Sequence, residues 1–179
     1  MGREELGRIG DVPEAASDPQ RLASARHPVY NHPPMSTESS PSTPGKGASA
    51  VDVVLALYEA IDTGHATEAG VLFTDDAVFD HPEQVFRGIE EIRGFLSRRE
   101  SDTDRRTIHV LNNTRIAEAD EGEREVSSVV FIYSPDAGGD WHLHRVARMR
   151  HVVRAVDGQW RITSRVIGPA DKAMVHQTR

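Results

Sequence analysis

Cysteine is absent from the 179 residues of the chain. This absence excludes disulfides, thiolate metal sites and a thiol nucleophile. Long apolar runs are also missing, and none approaches the roughly 20 residues that a membrane-spanning helix needs. The first residues lack the apolar segment of a secretory signal, so we expect a cytoplasmic protein that does not contact a membrane.

Positive charge is scarce as well. The chain has 28 acidic against 21 basic side chains, a formal net charge of -7. Such a chain repels the phosphate backbone, so nucleic acid is not an expected partner. Two arginine pairs, at 98–99 and 105–106, flank the acidic residues Glu100, Asp102 and Asp104, and we interpret that segment as a solvated surface of mixed sign.

Sequence motifs for cofactors and for hydrolysis are also missing. There is no Gly-x-Ser-x-Gly, no Gly-x-Gly-x-x-Gly and no phosphate-binding loop, so we expect no cofactor. His142 and His144 form a His-x-His pair, a spacing that can bind a metal. The sequence fixes no third ligand near them, and we therefore predict exposed hairpin histidines and no metal.

Large apolar residues are rare before residue 51. Residues 1–50 are rich in Pro, Ser, Gly and Ala, a composition that predicts a disordered extension. Met35 begins a segment typical of an N-terminal tail and is an alternative translation start. We predict one domain at 51–168 and a C-terminal tail at 169–179.

From Val51 onwards the apolar residues follow regular spacings. Helical spacing predicts a helix from Val51 to the turn at 62–64, a short helix at 66–73 and a third helix from Gly88. Between them we expect a turn at 74–76 and a strand at 77–81. Alternation and turn signals predict strands at 107–117, 125–134, 141–156 and 160–167. This order predicts an α+β fold with three N-terminal helices packed on a curved, mostly antiparallel sheet.

Five segments in this order resemble the SnoaL-like domain: LYEAIDTGH (57–65), LFTDDAVFD (72–80), FRGIEEI (86–92), TIH (107–109) and VDGQWRI (156–162). The resemblance covers about residues 51–168. It is greatest to the branch that holds scytalone dehydratase, bile-acid dehydratase and the β subunits of ring-hydroxylating dioxygenases. It implies the nuclear-transport-factor-2-like, cystatin-like cone, with one pocket for a small-molecule substrate, in a homodimer or homotrimer.

The resemblance also implies a catalytic pair. Asp62 and His109 match a pocket aspartate and its partner histidine in scytalone dehydratase. The carboxylate would orient the imidazole and leave its other ring nitrogen free to move a substrate proton. The alternatives are a simple turn at 62–64 and an ordinary strand histidine. We predict that Asp62 and His109 are catalytic.

Strand alternation adds substrate-binding candidates. Met149 and His151 lie on the more apolar face of the strand 143–155, and His81 shares a strand face with Phe79. An exposed strand-end histidine is the alternative for His81, and plain core packing is the alternative for the aromatic residues. We predict that seven side chains bind substrate: Tyr58, Phe79, His81, Phe131, Tyr133, Met149 and His151.

The chain departs from scytalone dehydratase at two places. Met149 stands where that enzyme has a pocket asparagine, and its second catalytic histidine falls near Tyr133 or Ser134. We therefore predict a cofactor-independent lyase or isomerase for another hydrophobic, oxygenated molecule, such as a polyketide, steroid-like or aromatic metabolite. One alternative is a non-catalytic binding or assembly domain like the dioxygenase β subunits. A second is proton transfer like that of ketosteroid isomerase, with Asp62 acting alone.

Overall fold

The computed structural model describes residues 44–45, 47–120 and 122–170. The predicted extension (1–50) and the predicted tail (169–179) lie almost entirely outside the described residues. Within the described ranges, none of the helices has the length and apolar character needed to span a membrane.

Two α-helices and one 3₁₀ helix form as the apolar spacing predicts. Helix α1 (Ala50–Asp62) buries one full face, and the 3₁₀ helix (Ala66–Leu72) follows it directly. Helix α2 (Ile89–Ser101) follows Gly88, whose φ of 79° is a backbone conformation that favours glycine. The three predicted helices are confirmed.

Six strands form one sheet in the order β2-β1-β6-β5-β4-β3. The pairing is antiparallel except between β1 and β6, which run parallel. The mostly antiparallel α+β architecture is therefore confirmed. The strands are β1 (Phe73–His81), β2 (Gln84–Arg87), β3 (Ile108–Glu118), β4 (Glu123–Pro135), β5 (Trp141–Val156) and β6 (Gln159–Pro169).

The beginning of β1 corrects one prediction. Thr74–Asp76 was expected to be a turn, yet these residues lie inside the strand, where Phe73 pairs with Ile162 of β6. The register shifts between Phe73 and Val78, so the polar residues occupy an irregular part of the strand. Strand β2 was not predicted, because only its pairing with β1 makes so short a segment a strand.

The two faces of the sheet have different surroundings. The inner face carries buried apolar residues that join one core with the helices. The outer face of β3, β4 and β5 carries apolar residues brought side by side by cross-strand pairing. We call this set the outer apolar patch: Ile108, Val110, Phe131, Tyr133, Leu143 and Val146. Ile108, Val110 and Leu143 are each exposed over almost half of their surface.

Candidate active site

A cavity of about 370 Å³ opens between the inner face of the sheet, the end of α1, helix α2 and the segment before β3. Its size falls within the range of sites for small organic ligands. The wall combines apolar side chains with polar and charged ones. The apolar part is formed by Ile61, Phe79, Phe95, Ile132, Met149 and Ile167.

Asp62 and His109 meet beside this cavity. Asp62 is the last residue of α1 and His109 is the second residue of β3. His109 Nδ1 lies 2.6 Å from Asp62 Oδ1, and the His109 backbone N donates to Asp62 Oδ2 at 2.7 Å. The Thr107 hydroxyl donates to Oδ1 at 3.1 Å. The carboxylate is therefore fixed from three directions.

This contact also determines what His109 offers to the cavity. A carboxylate only accepts hydrogen bonds, so it favours the tautomer that carries its proton on Nδ1. The lone pair of the neutral ring is then on Nε2. His109 lines the cavity, and its ring centroid lies 4.9 Å from that of Tyr58. The ring is oriented on one edge by Asp62 and on one face by Tyr58.

A second group supports the pair from α2. Arg99 Nη2 donates to the Thr107 hydroxyl at 2.9 Å, and that hydroxyl donates in turn to Asp62. Helix α2, strand β3 and the end of α1 are thus connected through polar side chains. This connection fixes the position of the Asp62 carboxylate relative to the cavity wall.

Three of the predicted substrate-binding residues line the cavity: Phe79, His81 and Met149. The His81 ring contacts Phe79 and Phe95, with centroid distances of 5.6 and 5.5 Å. Burial is the main cause of a lowered pKa for His81, because it disfavours the charged ring. His81 therefore presents a mostly neutral ring near neutral pH.

Tyr58 and His151 lie one layer deeper than predicted. Their side chains are 2% and 1% exposed, and neither lines the cavity. The two rings meet edge to face with centroids 5.9 Å apart. His151 does point to the inner face, but α1 covers that end of the sheet. Burial raises the pKa of Tyr58, whereas burial and the nearby Arg165 lower the pKa of His151 to about 3.

Phe131 and Tyr133 correct the prediction that they line the cavity. Their neighbours Ile132 and Ser134 on β4 line it instead. Because successive side chains of a strand point to opposite faces, Phe131 and Tyr133 face outwards. They belong to the outer apolar patch, on the face of the sheet opposite to His109 and the cavity.

Sequence reasoning missed the cationic part of the wall. Five arginines line the cavity: Arg99, Arg105, Arg106, Arg145 and Arg165. Arg105 and Arg106 are exposed, as the surface interpretation of 98–106 predicts, but they and the partly buried Arg99 also line the cavity, which that interpretation did not include. A signal for Arg145 existed, since it shares the apolar face of β5 with Met149. Over the residues that the structure describes, no group of three potential metal ligands is found.

Comparisons with known proteins agree with the fold. The family model described as the SnoaL-like domain matches residues 48–166. Among curated proteins no significant match is found. Solved structures share the fold at low identity. Aln2 from a Streptomyces species is 20% identical, with a TM-score of 0.60 over 74% of this chain and 96% of that chain.

Two further structures come from Novosphingobium aromaticivorans. A candidate scytalone dehydratase from this organism is 20% identical, with a TM-score of 0.56 over 69% of this chain and 92% of that chain. A nuclear-transport-factor-2-like protein with a cystatin-like fold is 16% identical, with a TM-score of 0.57 over 68% of this chain and 80% of that chain. At these identities the likeness shows the fold alone.

Proposed function

The chain belongs to the SnoaL-like domain family, and from that premise we propose that it is a cofactor-independent lyase or isomerase. Its substrate is a hydrophobic, oxygenated small molecule. The observation that carries the proposal is the 2.6 Å contact between Asp62 and His109 at the wall of a cavity of about 370 Å³. A partly buried imidazole that a carboxylate orients at the wall of a cavity is suited to acid-base chemistry.

The proposed reaction begins with removal of a proton by His109 Nε2 from a carbon beside a substrate carbonyl. The bonding electrons move to the carbonyl oxygen and give an enolate. The imidazolium then returns the proton to another carbon, which is isomerisation, or to a departing hydroxyl group, which leaves as water. Asp62 remains ionised and stabilises the imidazolium, because its oxygens accept the bonds from His109.

The geometry supports His109 rather than Asp62 as the base. Both carboxylate oxygens accept hydrogen bonds from Thr107 or His109, and Asp62 is not among the described lining residues of the cavity. A base must reach the proton that it abstracts. His109 meets that requirement, whereas the use of Asp62 alone would require the pair to separate.

The open cavity also supports an enzyme over a purely structural assembly domain. A domain that serves only in assembly does not require a ligand to reach His109, and its interior could be completely filled by side chains. Here His109 lines a space large enough for a small organic molecule.

The outer apolar patch is a candidate surface for association of the chain with a second copy of itself. We propose a homo-oligomer, a dimer or a trimer, in which the outer apolar patch contacts a second copy. Large exposed apolar patches on protein domains often mark interaction sites. In a symmetric contact between two copies, the patch of each chain is buried against the other chain.

The experiment for the catalytic proposal is exchange of carbon-bound hydrogen in D₂O, followed by NMR with a panel of neutral bicyclic ketones and β-hydroxy ketones. We expect His109→Gln to slow exchange by about 10²- to 10⁴-fold, the usual contribution of a positioned base. Asp62→Asn should also slow it, because an amide does not fix the Nδ1–H tautomer. His65→Gln is the matched control, since His65 pairs with Glu68 and is not among the described lining residues of the cavity. Wild-type exchange in both pair variants would contradict the proposal.

A further inference from the structure

Arg165 is the one fully buried residue among the arginines described at the cavity wall. It belongs to β6, is 3% exposed and lines the cavity beside Phe79. Its guanidinium carbon lies 4.6 Å from the Phe79 ring centroid and 5.4 Å from that of Tyr58. The charge therefore rests against two aromatic rings in a place that water hardly reaches.

No carboxylate in the described part of the chain forms an ion pair with Arg165. The Asp62 oxygens are occupied by Thr107 and His109, and Asp104 lies exposed at the cavity rim. Arg165 Nε is buried and has no hydrogen-bond partner among the described residues. Burial of a guanidinium without a negative partner is unfavourable, and contact with aromatic faces offsets it only in part.

The remainder of the wall has the same sign of charge. Arg99, Arg105, Arg106 and Arg145 also line the cavity, and Asp104 is the one carboxylate among its described lining residues. The chain as a whole has a formal charge of -7, so the cavity is positive against a negative background. A cleft lined by one sign of charge attracts ligands of the opposite sign.

We infer that the substrate carries a carboxylate group, which Arg165 binds at the inner end of the cavity. The planar guanidinium matches the two oxygens of a carboxylate, and such pairs are among the stronger hydrogen-bonded contacts in proteins. The apolar body of the substrate lies against Phe79 and Met149. This inference rests on the proposed function, because it names the substrate class of the same cavity.

The test compares two probes of equal shape, 2-naphthoate and its neutral analogue 2-naphthamide, by calorimetry with the full chain. We expect 2-naphthoate to bind at least about tenfold more tightly, as a hydrogen bond to a charged group predicts. Arg165→Met keeps the linear stem and removes the charge, and it should abolish the difference. Arg93→Met is the matched control: Arg93 lies on α2, pairs with Glu90 and does not line the cavity.

A second readout does not depend on the folding of the Arg165 variant. In the wild-type chain, 2-naphthoate should raise the melting temperature more than 2-naphthamide does, and added NaCl should reduce only the carboxylate effect. Equal binding of the two probes, or binding of neither, overturns the carboxylate inference. The proposed function is tested separately, because neutral ketones report on His109 without any carboxylate.

Discussion

Three hydrogen bonds converge on the carboxylate of Asp62, from the Thr107 hydroxyl, the His109 backbone and the His109 ring. The hydroxyl is the only one of the three donors that a nearly isosteric substitution removes. Thr107→Val retains the shape and the β-branch but leaves Asp62 Oδ1 with one bond fewer. It also removes the acceptor of Arg99.

We expect Thr107→Val to reduce the deuterium-exchange rate roughly tenfold, the effect of losing one hydrogen bond to a charged group. Thr107→Ser should restore most of the rate, because serine has the same hydroxyl. A Thr107→Val chain that exchanges as fast as wild type would show that the bond does not position the pair.

His151 gives the molecule a predictable response to acid. Its pKa is lowered to about 3, first by burial and then by Arg165, whereas an unfolded histidine titrates near 6.5. Between these values the unfolded chain binds a proton that the folded chain does not. This contribution leaves stability intact above about pH 6.5 and reduces it as the pH falls towards 3.

At pH 5 the free energy of unfolding should be about 2 kcal/mol lower than at pH 7. Over this pH range the unfolded chain takes up the proton on His151, whereas the folded chain does not. Urea unfolding of the wild type and of His151→Leu at both pH values measures it, and the variant should lose less stability on acidification. His65→Gln serves as the control, since His65 is partly exposed. An equal acid loss in the wild type and in His151→Leu would refute the assignment.

The sequence predicted the contact between Asp62 and His109 better than it predicted the residues that line the cavity. Asp62 and His109 stand at element ends that the resemblance aligned, and their contact follows. Phe131 and Tyr133 were misassigned because aromatic character was given more weight than strand alternation, which directs Ile132 inwards. Arg99, Arg105 and Arg106 were missed because they flank three acidic residues in the sequence, whereas of those acidic residues only Asp104 joins them at the cavity.

Helix α1 carries Asp62 at its last position, so its stability affects the site directly. Its first turn is closed by a capping box, in which Asp52 N donates to the Ser49 hydroxyl and Ser49 N donates to the Asp52 carboxylate. Removal of the Ser49 hydroxyl leaves one amide of the first turn without its side-chain acceptor.

We therefore expect Ser49→Ala to reduce the free energy of unfolding by about 1 kcal/mol. Ser97→Ala is the matched control, because Ser97 lies within α2, where alanine is the better helix former. Urea denaturation at pH 7 measures both changes. If the two variants unfold at the same urea concentration, the capping box does not stabilise the domain.

At the scale of elements, the sequence predicted all the helices and the long strands but not the beginning of β1 or the short strand β2. The Asp157-Gly158 turn between β5 and β6 adopts positive φ values at both residues, as its sequence predicts. The beginning of β1 and all of β2 depend on neighbours distant in sequence. Thr74 and the two aspartates after it have the local preference of a turn, but the flanking residues Phe73 and Val78 pair with β6 and hold this segment in the strand.

At the scale of the whole molecule, the outer apolar patch leaves large apolar side chains exposed to solvent, which contact with a second chain would bury. The order of helices and strands was sufficient to predict the fold class, because helices followed by antiparallel strands have few ways to share one core. It was not sufficient to predict the outer face, where strand alternation exposes Val110 and a register shift between β4 and β5 turns Leu143 outwards.

Two exposed apolar residues of β3, Val110 and Ile116, allow a test of whether the outer apolar patch is a specific interface. Val110 is 45% exposed and pairs with Phe131 on the outer face, whereas Ile116 is 53% exposed and pairs with Val126 on the inner face. A glutamate at either position costs little in a free chain, because water reaches both. Only at Val110 would it meet the apolar patch of a second copy.

We expect the wild-type chain to elute as a homo-oligomer in size-exclusion chromatography with light scattering, and Val110→Glu to shift the mass to that of a monomer. Ile116→Glu should leave the mass unchanged. A monomeric wild type, or dissociation by Ile116→Glu as well, would contradict association through this patch. If Val110→Glu dissociates the oligomer but keeps deuterium exchange at the wild-type rate, each chain holds a complete site, as expected for a cavity formed by residues of one protomer.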